Sequence, residues 1–500
     1  GITINVVSYL TFNLLIIIGA SNTIHLLMKY HEGLSQGLKQ DEALLRVIQQ
    51  IGGALFLTSF TTAVGFCSLI FTNIRITKEF GLIVGFGVIL MFIITIIVMP
   101  IFLNFIRAPG KEHIHRLIQG GQLLAANKLN KWNSAHPFLI LTVSIVLFII
   151  AIFGLRQINY NASVMEDLRP GNALYDDLTF VEKKLGGTLP LEVIVDTRTK
   201  NASLYPEILN KMQSYKNEIL QIPEINTAIT PGDYLMLFNE EMGNGERELP
   251  STTDDALSFV YDYDRVQMLL NEDYSKSRIS CRIPDMPFER AMLIKDEIIQ
   301  KGHKIFGNNI DIKVTGSTLL ALSTNRHLVK NLTFSFFIAF IIIFLSMVLL
   351  FRSFRLALIS ILPNIIPLMI AGGMMGILGI KLRPSTAMTF SIALGIAVDN
   401  TIHFLARFRQ EFRKNGDYVE AVSETLLTTG KAIISTGVIL ALGFFVLYFS
   451  EFVPNHEFGI LATIIIVAAA CASLILLPVL ILQIRPVLHF GHSKVNNKVT

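Results

Sequence analysis

The chain is 500 residues long, 52% hydrophobic and 16% charged, with a mean hydropathy of +0.54. Soluble domains carry about a quarter charged residues, so this composition excludes an ordinary soluble fold and indicates a polytopic membrane protein. The net charge of +4 hides a split: residues 157–330 hold 19 Lys and Arg against 26 Asp and Glu, and the remainder holds 23 against 12, a balance that gives no support to nucleic-acid binding.

Residues 5–28 form the first apolar segment, ending in Asn22-Thr23-Ile24-His25, and 29–50 reads as a separate amphipathic helix. Spans are predicted at about 52–72 and 79–106. A basic linker, 107–136, carries Arg107, Lys111, Arg116, Lys128 and Lys131. A span at 137–155 precedes the hydrophilic stretch 157–330. Spans at about 331–351, 354–379, 385–406, 430–450 and 456–483 bring the total to nine. Within 157–330, Leu191 to Val195, Ile279 to Ile283 and Ile310 to Val314 read as strands. Tyr205 to Leu220 and Phe288 to Ile305 have helical spacing. Strand–helix–strand twice over resembles split βαβ modules. The Gly-, Pro-, Asn- and Glu-rich segment 229–253 reads as a long loop, and 317–330 as a helix leading into the next span. Cys67, Cys281 and Cys471 make neither a disulfide framework nor a metal spacing.

Self-similarity organises the chain. Asn22-Thr23-Ile24-His25 recurs as Asn400-Thr401-Ile402-His403, 378 residues later. The same offset pairs Gly1-Ile2 with Gly379-Ile380, Gly52 with Gly430, Thr58 with Thr436 and Gly65-Phe66 with Gly443-Phe444. It also pairs Glu79-Phe80-Gly81 with Glu457-Phe458-Gly459, and Pro100 with Pro478. Residues 1–106 thus close a first membrane repeat with three spans, and 107–136 is a linker. The second repeat has its first span at 137–156, a separate domain at 157–330 and five spans in 331–485, followed by a tail at 486–500. Projecting the offset backwards predicts about 240 preceding residues and twelve spans in a complete duplicated protein. Basic residues place the linker, the Arg352–Arg355 turn, the 407–414 stretch and the tail in the cytoplasm, and 157–330 on the far side. Arg75, Lys78, Lys381 and Arg383 run against that bias.

The stretch Gly395 to His403 sits inside the apolar run from Ala387 to Leu405. An ionisable side chain there is costly and marks a functional site. Gly395, Asp399 and His403 fall four apart on one helical face. Apolar surroundings disfavour the charged carboxylate, so Asp399 can load and release a proton. Gly395 lets a neighbouring helix approach closely.

The repeat, the large domain after the first span of a half, and the GIAVDNTIHF motif around Asp399 resemble the resistance–nodulation–division (RND) superfamily, most closely its MMPL and Patched-like branch of lipid exporters. The resemblance covers nearly the whole chain. It implies a polytopic α-helical membrane protein with internal duplication and ferredoxin-like porter domains of split βαβ type. It also implies a multi-pass protein of the bacterial inner membrane that exports a hydrophobic or lipid-like substrate, driven by protons. Membrane lipids surround such a pump, and a periplasmic lipid carrier or a further copy of the chain are open as partners. The first copy departs from the pattern: Ser21 stands at the place of Asp399, and Ile17 at that of Gly395.

The expected proton relay is Asp399 with Asn400, His403 and Thr436, facing a counterpart of Ser21, Asn22, His25 and Thr58. Structural readings stand beside these. The histidines can pack rather than relay, Asn22 and Asn400 can bond between helices, and Thr436 can bond Asp399 or its own backbone. Glu79 and Glu457 read as helix-opening acids. Pro363 and Pro367 are expected to kink the 354–379 span. No catalytic constellation, metal spacing or nucleotide-binding lysine stands out, so neither an enzyme, a cofactor nor ATP use is expected. The alternatives to export are a non-transporting lipid sensor or scaffold of the same fold, and a secretion-assisting membrane protein.

Overall fold

The computed structural model describes residues 10–72, 75–110, 121–159, 167–242, 245 and 247–486. The expectations that fall on Gly1-Ile2, Lys111, Arg116 and the tail beyond Pro486 lie outside the described residues. The chain forms two compact units, 1–160 with 328–500, and 161–327.

In the first unit, α1 (Leu10–Ser35) continues past its apolar segment through Lys29 and Glu32, which pair at 2.9 Å. Gly37, at φ 84°, turns the chain. Helix α2 (Gln40–Cys67) follows, with Asp41 and Glu42 in its first turn. The separate amphipathic helix expected at 29–50 is therefore absent: its halves extend the two adjoining spans. Hydropathy marks the part that crosses hydrocarbon, whereas backbone hydrogen bonding carries each helix on into the interface. Next come α3 (Arg75–Phe105), α4 (Gly121–Ala135) and α5 (Pro137–Leu155), the last opened by a proline at its first position.

The second unit holds a four-stranded sheet with α6 (Ala173–Leu185), β1 (Leu189–Asp196), α7 (Pro206–Ile219), β2 (Thr227–Ile229), α8 (Pro231–Met242), α9 (Thr253–Asp262), β3 (Lys276–Ile283), α10 (Phe288–Phe306) and β4 (Asp311–Thr315). Strand order is β2-β3-β1-β4 and every neighbouring pair is antiparallel. The path β1–α7–β2 then β3–α10–β4 makes two interleaved split βαβ units, as the spacing predicts. Alternation puts Leu191, Val193 and Val195 of β1 and Ile279, Cys281 and Ile283 of β3 on one buried face. Helix α7 lays Leu209, Met212, Tyr215 and Ile219 in the same core as Ile294 and Ile298 of α10. The Tyr215 hydroxyl donates to the Ile298 carbonyl at 2.8 Å.

The first half of the expected long loop at 229–253 is instead α8. Pro231 begins the helix, and Asp233 accepts from the Thr230 amide at 2.7 Å and its hydroxyl at 2.9 Å. Turn-forming residues here make a helix start. Asp233 also accepts from Lys216 at 2.6 Å. Burial opposes its charge, but the bonds from Lys216, the Thr230 amide and Gln213 outweigh it and hold the carboxyl below its usual value.

The membrane unit resumes along α11 (Ser317–Phe351), α12 (Phe354–Ile377), α13 (Pro384–Asn415) and α14 (Tyr418–Phe445). It closes with α15 (Val453–Cys471), a π-helical turn at Ala472–Leu476 and α16 (Leu477–Ile484). Among the described residues, nine helices are long and apolar enough to cross a membrane. Helix α13 is the most enclosed, with 94% of its most apolar window buried.

The duplication is physical. Helix α2 and the 3-10 turn Ser68–Phe71 after it recur residue for residue as α14 and Val446–Phe449, and α3 starts where α15 does. Phe66 and Phe80 stack edge-on at 6.2 Å, and their counterparts Phe444 and Phe458 lie 6.0 Å apart. The opening acids diverge. Glu79 pairs with exposed Arg75, but Glu457 is buried, 3.8 Å from buried Arg383, the residue that caps α13. Glu457 therefore joins two helices rather than only favouring a helix end.

Candidate functional site at the crossing of the repeats

The two repeats meet where α13 crosses α2. A Cβ added at Gly395 would lie 3.1 Å from the Thr62 Cα and 3.3 Å from its carbonyl oxygen. One added at Gly65 would lie 3.3 Å from the Gly395 Cα. The backbones thus nearly touch, and the Thr62 hydroxyl donates to the Gly395 carbonyl at 3.1 Å. The counterpart crossing differs. Ile17 of α1 takes the place of Gly395, and its side chain lies against Gly443 of α14, the equivalent of Gly65. One crossing is closed backbone to backbone; the other is held apart by an isoleucine.

One turn beyond Gly395, Asp399 is 8% exposed. Its Oδ1 lies 3.3 Å from Nε2 of His403, off the line of a hydrogen bond. His25 from the other repeat stacks on His403, with ring centroids 3.9 Å apart and planes 15° from parallel. So the carboxyl has beside it His403, expected from the spacing, and His25 from the other repeat. A void of about 10 Å³ adjoins Asp399, lined by Ser21, Asn22, Thr58 and Thr62. That is room for one water. Ser21 Oγ and Asp399 Oδ1 are both buried without a hydrogen-bond partner.

The predicted residues divide. Asp399, His403, His25, Ser21, Asn22, Thr58 and Gly395 come together. Asn22 donates to Ser59 of α2 at 3.3 Å, while the Asn400 side-chain oxygen is buried without a partner. The Thr436 hydroxyl bonds the Ala432 carbonyl of its own helix at 2.9 Å. Thr58 lines the void beside Asp399 instead, because α13 packs on the helix of the opposite repeat. Sequence reasoning missed Ser59 and Thr62, whose hydroxyls within an apolar run of α2 are the signal. It also missed Asn364, which accepts from Thr401 at 3.1 Å. An asparagine between Pro363 and Pro367 in an apolar span is a visible oddity.

Beyond the histidines, away from the small void, a cavity of about 90 Å³ is lined by Lys29, Glu32, Arg407 and Lys431 as well as both rings. Arg407 bridges Glu32 of α1 at 3.3 Å and Glu411 of α13 at 2.9 Å. The first repeat thus places an acid near the site, Glu32, about two turns along α1 from His25.

His25, Asp399 and His403 offer donor atoms within 4.8 Å of one another. A metal held by two imidazoles lies in the plane of both rings, about 2.1 Å from each nitrogen. Near-parallel rings 3.9 Å apart share no such point. The arrangement is suited to stacking and proton exchange, not to holding an ion.

This fold, a duplicated helical bundle with a split βαβ domain and a polar crossing, defines a multi-pass membrane transporter of the RND/MMPL type, in keeping with the inner membrane. The chain belongs to the MMPL family, which matches residues 2–114 and 294–490, more than half of its length. It is 21% identical over 362 residues to the putative membrane protein MJ1562 of Methanocaldococcus jannaschii, covering 71% of this chain and 92% of that protein. It is 28% identical over 82 residues to the sulfolipid-1 exporter MmpL8 of Mycobacterium tuberculosis, covering 16% of this chain and 8% of that one. The membrane protein YdfJ of Bacillus subtilis is 19% identical over 451 residues, which are 85% of this chain and 55% of YdfJ.

Proposed function

We propose that this chain works in proton-driven export of a hydrophobic or lipid-like substrate, with Asp399 and His403 as the proton-carrying pair. The supporting observation is the buried Asp399–His403 contact at the meeting of the repeats, with His25 stacked on it from the other half. Helices from both repeats surround these groups, so a change of charge there acts on the packing between halves. A proton taken up by the carboxyl from the far side passes to the imidazoles and leaves through the polar cavity at Lys29, Glu32 and Arg407. The basic residues of 407–414 assign that cavity to the cytoplasmic side. With the proton on Asp399, the pair is neutral and the crossing packs dry. With it gone, the carboxylate draws on water, His403 and the Thr58 hydroxyl, and another packing is favoured. Family membership and the sulfolipid exporter among the relatives support a lipid character for the substrate. A periplasmic lipid carrier or a second copy would act beyond this site.

The test is Asp399→Asn at wild-type expression, which keeps the side chain's size and removes its proton chemistry. Export of lipid to the cell surface should stop, and proton entry into reconstituted vesicles with it. Unchanged export by Asp399→Asn would sink the proposal.

A further inference from the structure

Helix α4 is fastened once to α14 and once to the π-helical turn Ala472–Leu476. Asn130 donates to the Ser423 hydroxyl at 2.8 Å, and buried Asn133 donates to the Leu474 carbonyl at 2.8 Å. That carbonyl is available for a reason. In a regular helix it would accept from the residue four positions on, which is Pro478 and has no N–H. A π-helical turn at Ala472–Leu476 accompanies the break. Beside these fastenings the helices do not close. Gly437, Ala441 and Ala470 carry little side chain and recess the wall. A cavity of about 710 Å³ results, its lining almost wholly apolar.

Its dimensions suit one occupant. Along α14 it runs from Ile434 to Leu442, about 12 Å at 1.5 Å per residue. A single leaflet of hydrocarbon is about 15 Å deep, half of the roughly 30 Å core. At the rim, α4 presents Lys128 and Trp132, with exposed Lys131 beside them. Helix α4 contains no acidic residue. Trp132 is the sole tryptophan of the chain and has the amphipathic ring that settles at a membrane interface. We infer that this cavity holds one acyl chain of an anionic phospholipid from the adjoining leaflet, with the headgroup at Lys128 and Lys131. The inference is independent of proton coupling, since no residue of the Asp399 site lines the cavity.

The single tryptophan supplies the assay. The full chain is placed in phosphatidylcholine bilayer discs, and its fluorescence is titrated with acyl-brominated phosphatidylglycerol or acyl-brominated phosphatidylcholine. Attraction of about 1 kcal/mol per lysine predicts half-quenching at a mole fraction roughly five-fold or more lower for the anionic lipid. Lys128→Gln with Lys131→Gln, both at exposed positions, should erase that difference. Ala470→Phe, which puts a ring into the recessed wall of the cavity, should weaken quenching by both lipids. Equal quenching by the two lipids in the wild type would overturn the inference, and so would quenching by Ala470→Phe as strong as in the wild type. The comparison of lipids decides the matter even where Ala470→Phe fails to fold.

Discussion

Gly395→Ile makes the α13–α2 crossing copy its counterpart, where Ile17 faces Gly443. The added Cβ alone would lie 3.1 Å from the Thr62 Cα, 3.3 Å from its carbonyl oxygen and 3.4 Å from that of Thr61. All three are backbone atoms of a packed helix, so none can swing away. The branches of isoleucine reach further still, and the helices must part. Overpacking of this kind costs about 1–3 kcal/mol, and the lost Thr62–Gly395 hydrogen bond adds about 0.6 kcal/mol in a membrane. A destabilisation of about 2–4 kcal/mol corresponds to roughly a 30-fold or greater fall in the folding equilibrium. The assay is the folded fraction in mixed micelles, titrated with a denaturing detergent. Gly53→Ile is the control, because a Cβ at Gly53 meets nothing within 4 Å. Gly395→Ala should fall between the two. If Gly395→Ile is no less stable than Gly53→Ile, the backbone-to-backbone crossing is not what holds the repeats together.

Two further outcomes concern the sheet domain. The Asp233 carboxyl is held below its usual value, so its contribution to stability is fully present above the unfolded value near 3.9 and is lost as pH falls through the lower folded value. Asp233→Asn should destabilise the domain at pH 7 and flatten its acid dependence below about pH 4, as read by melting against pH. Cys281 is fully buried on β3, and burial pushes its thiol up to about 12. It should resist N-ethylmaleimide at pH 7 until the domain unfolds, as peptide mass spectrometry would report.

Much of the molecule can be read from residue order, for identifiable reasons. Spans show as long apolar runs, and α5 matches its predicted limits at Pro137 and Leu155 because a proline and a basic residue bracket it. The split βαβ order follows from alternation in β1 and β3 and from the spacing of α7 and α10. Helix ends beyond the hydrocarbon were less visible: hydropathy is silent about Lys29 to Ser35, which hydrogen bonding makes part of α1. Helix α8 was hidden because Pro231, Gly232 and Asp233 suit a turn and a helix start alike. At the site, the four-residue spacing placed Asp399 and His403 together, and the repeat pointed to His25. It could not show which helix faces the acid. That depends on α13 crossing α2 of the opposite repeat, a contact between positions more than 300 residues apart.

Ser21 stands where the second repeat has Asp399, so among the described residues the crossing holds a single carboxyl for two helices. On the proposed mechanism each cycle then moves one elementary charge. That charge releases about 2.3 kcal/mol per 100 mV of membrane potential, enough to hold a neutral cargo at roughly a fifty-fold concentration ratio per 100 mV and no more. A one-proton machine of this kind is suited to lifting an amphiphile out of one leaflet, where it is already abundant, and poorly suited to accumulating a dilute solute against a steep gradient.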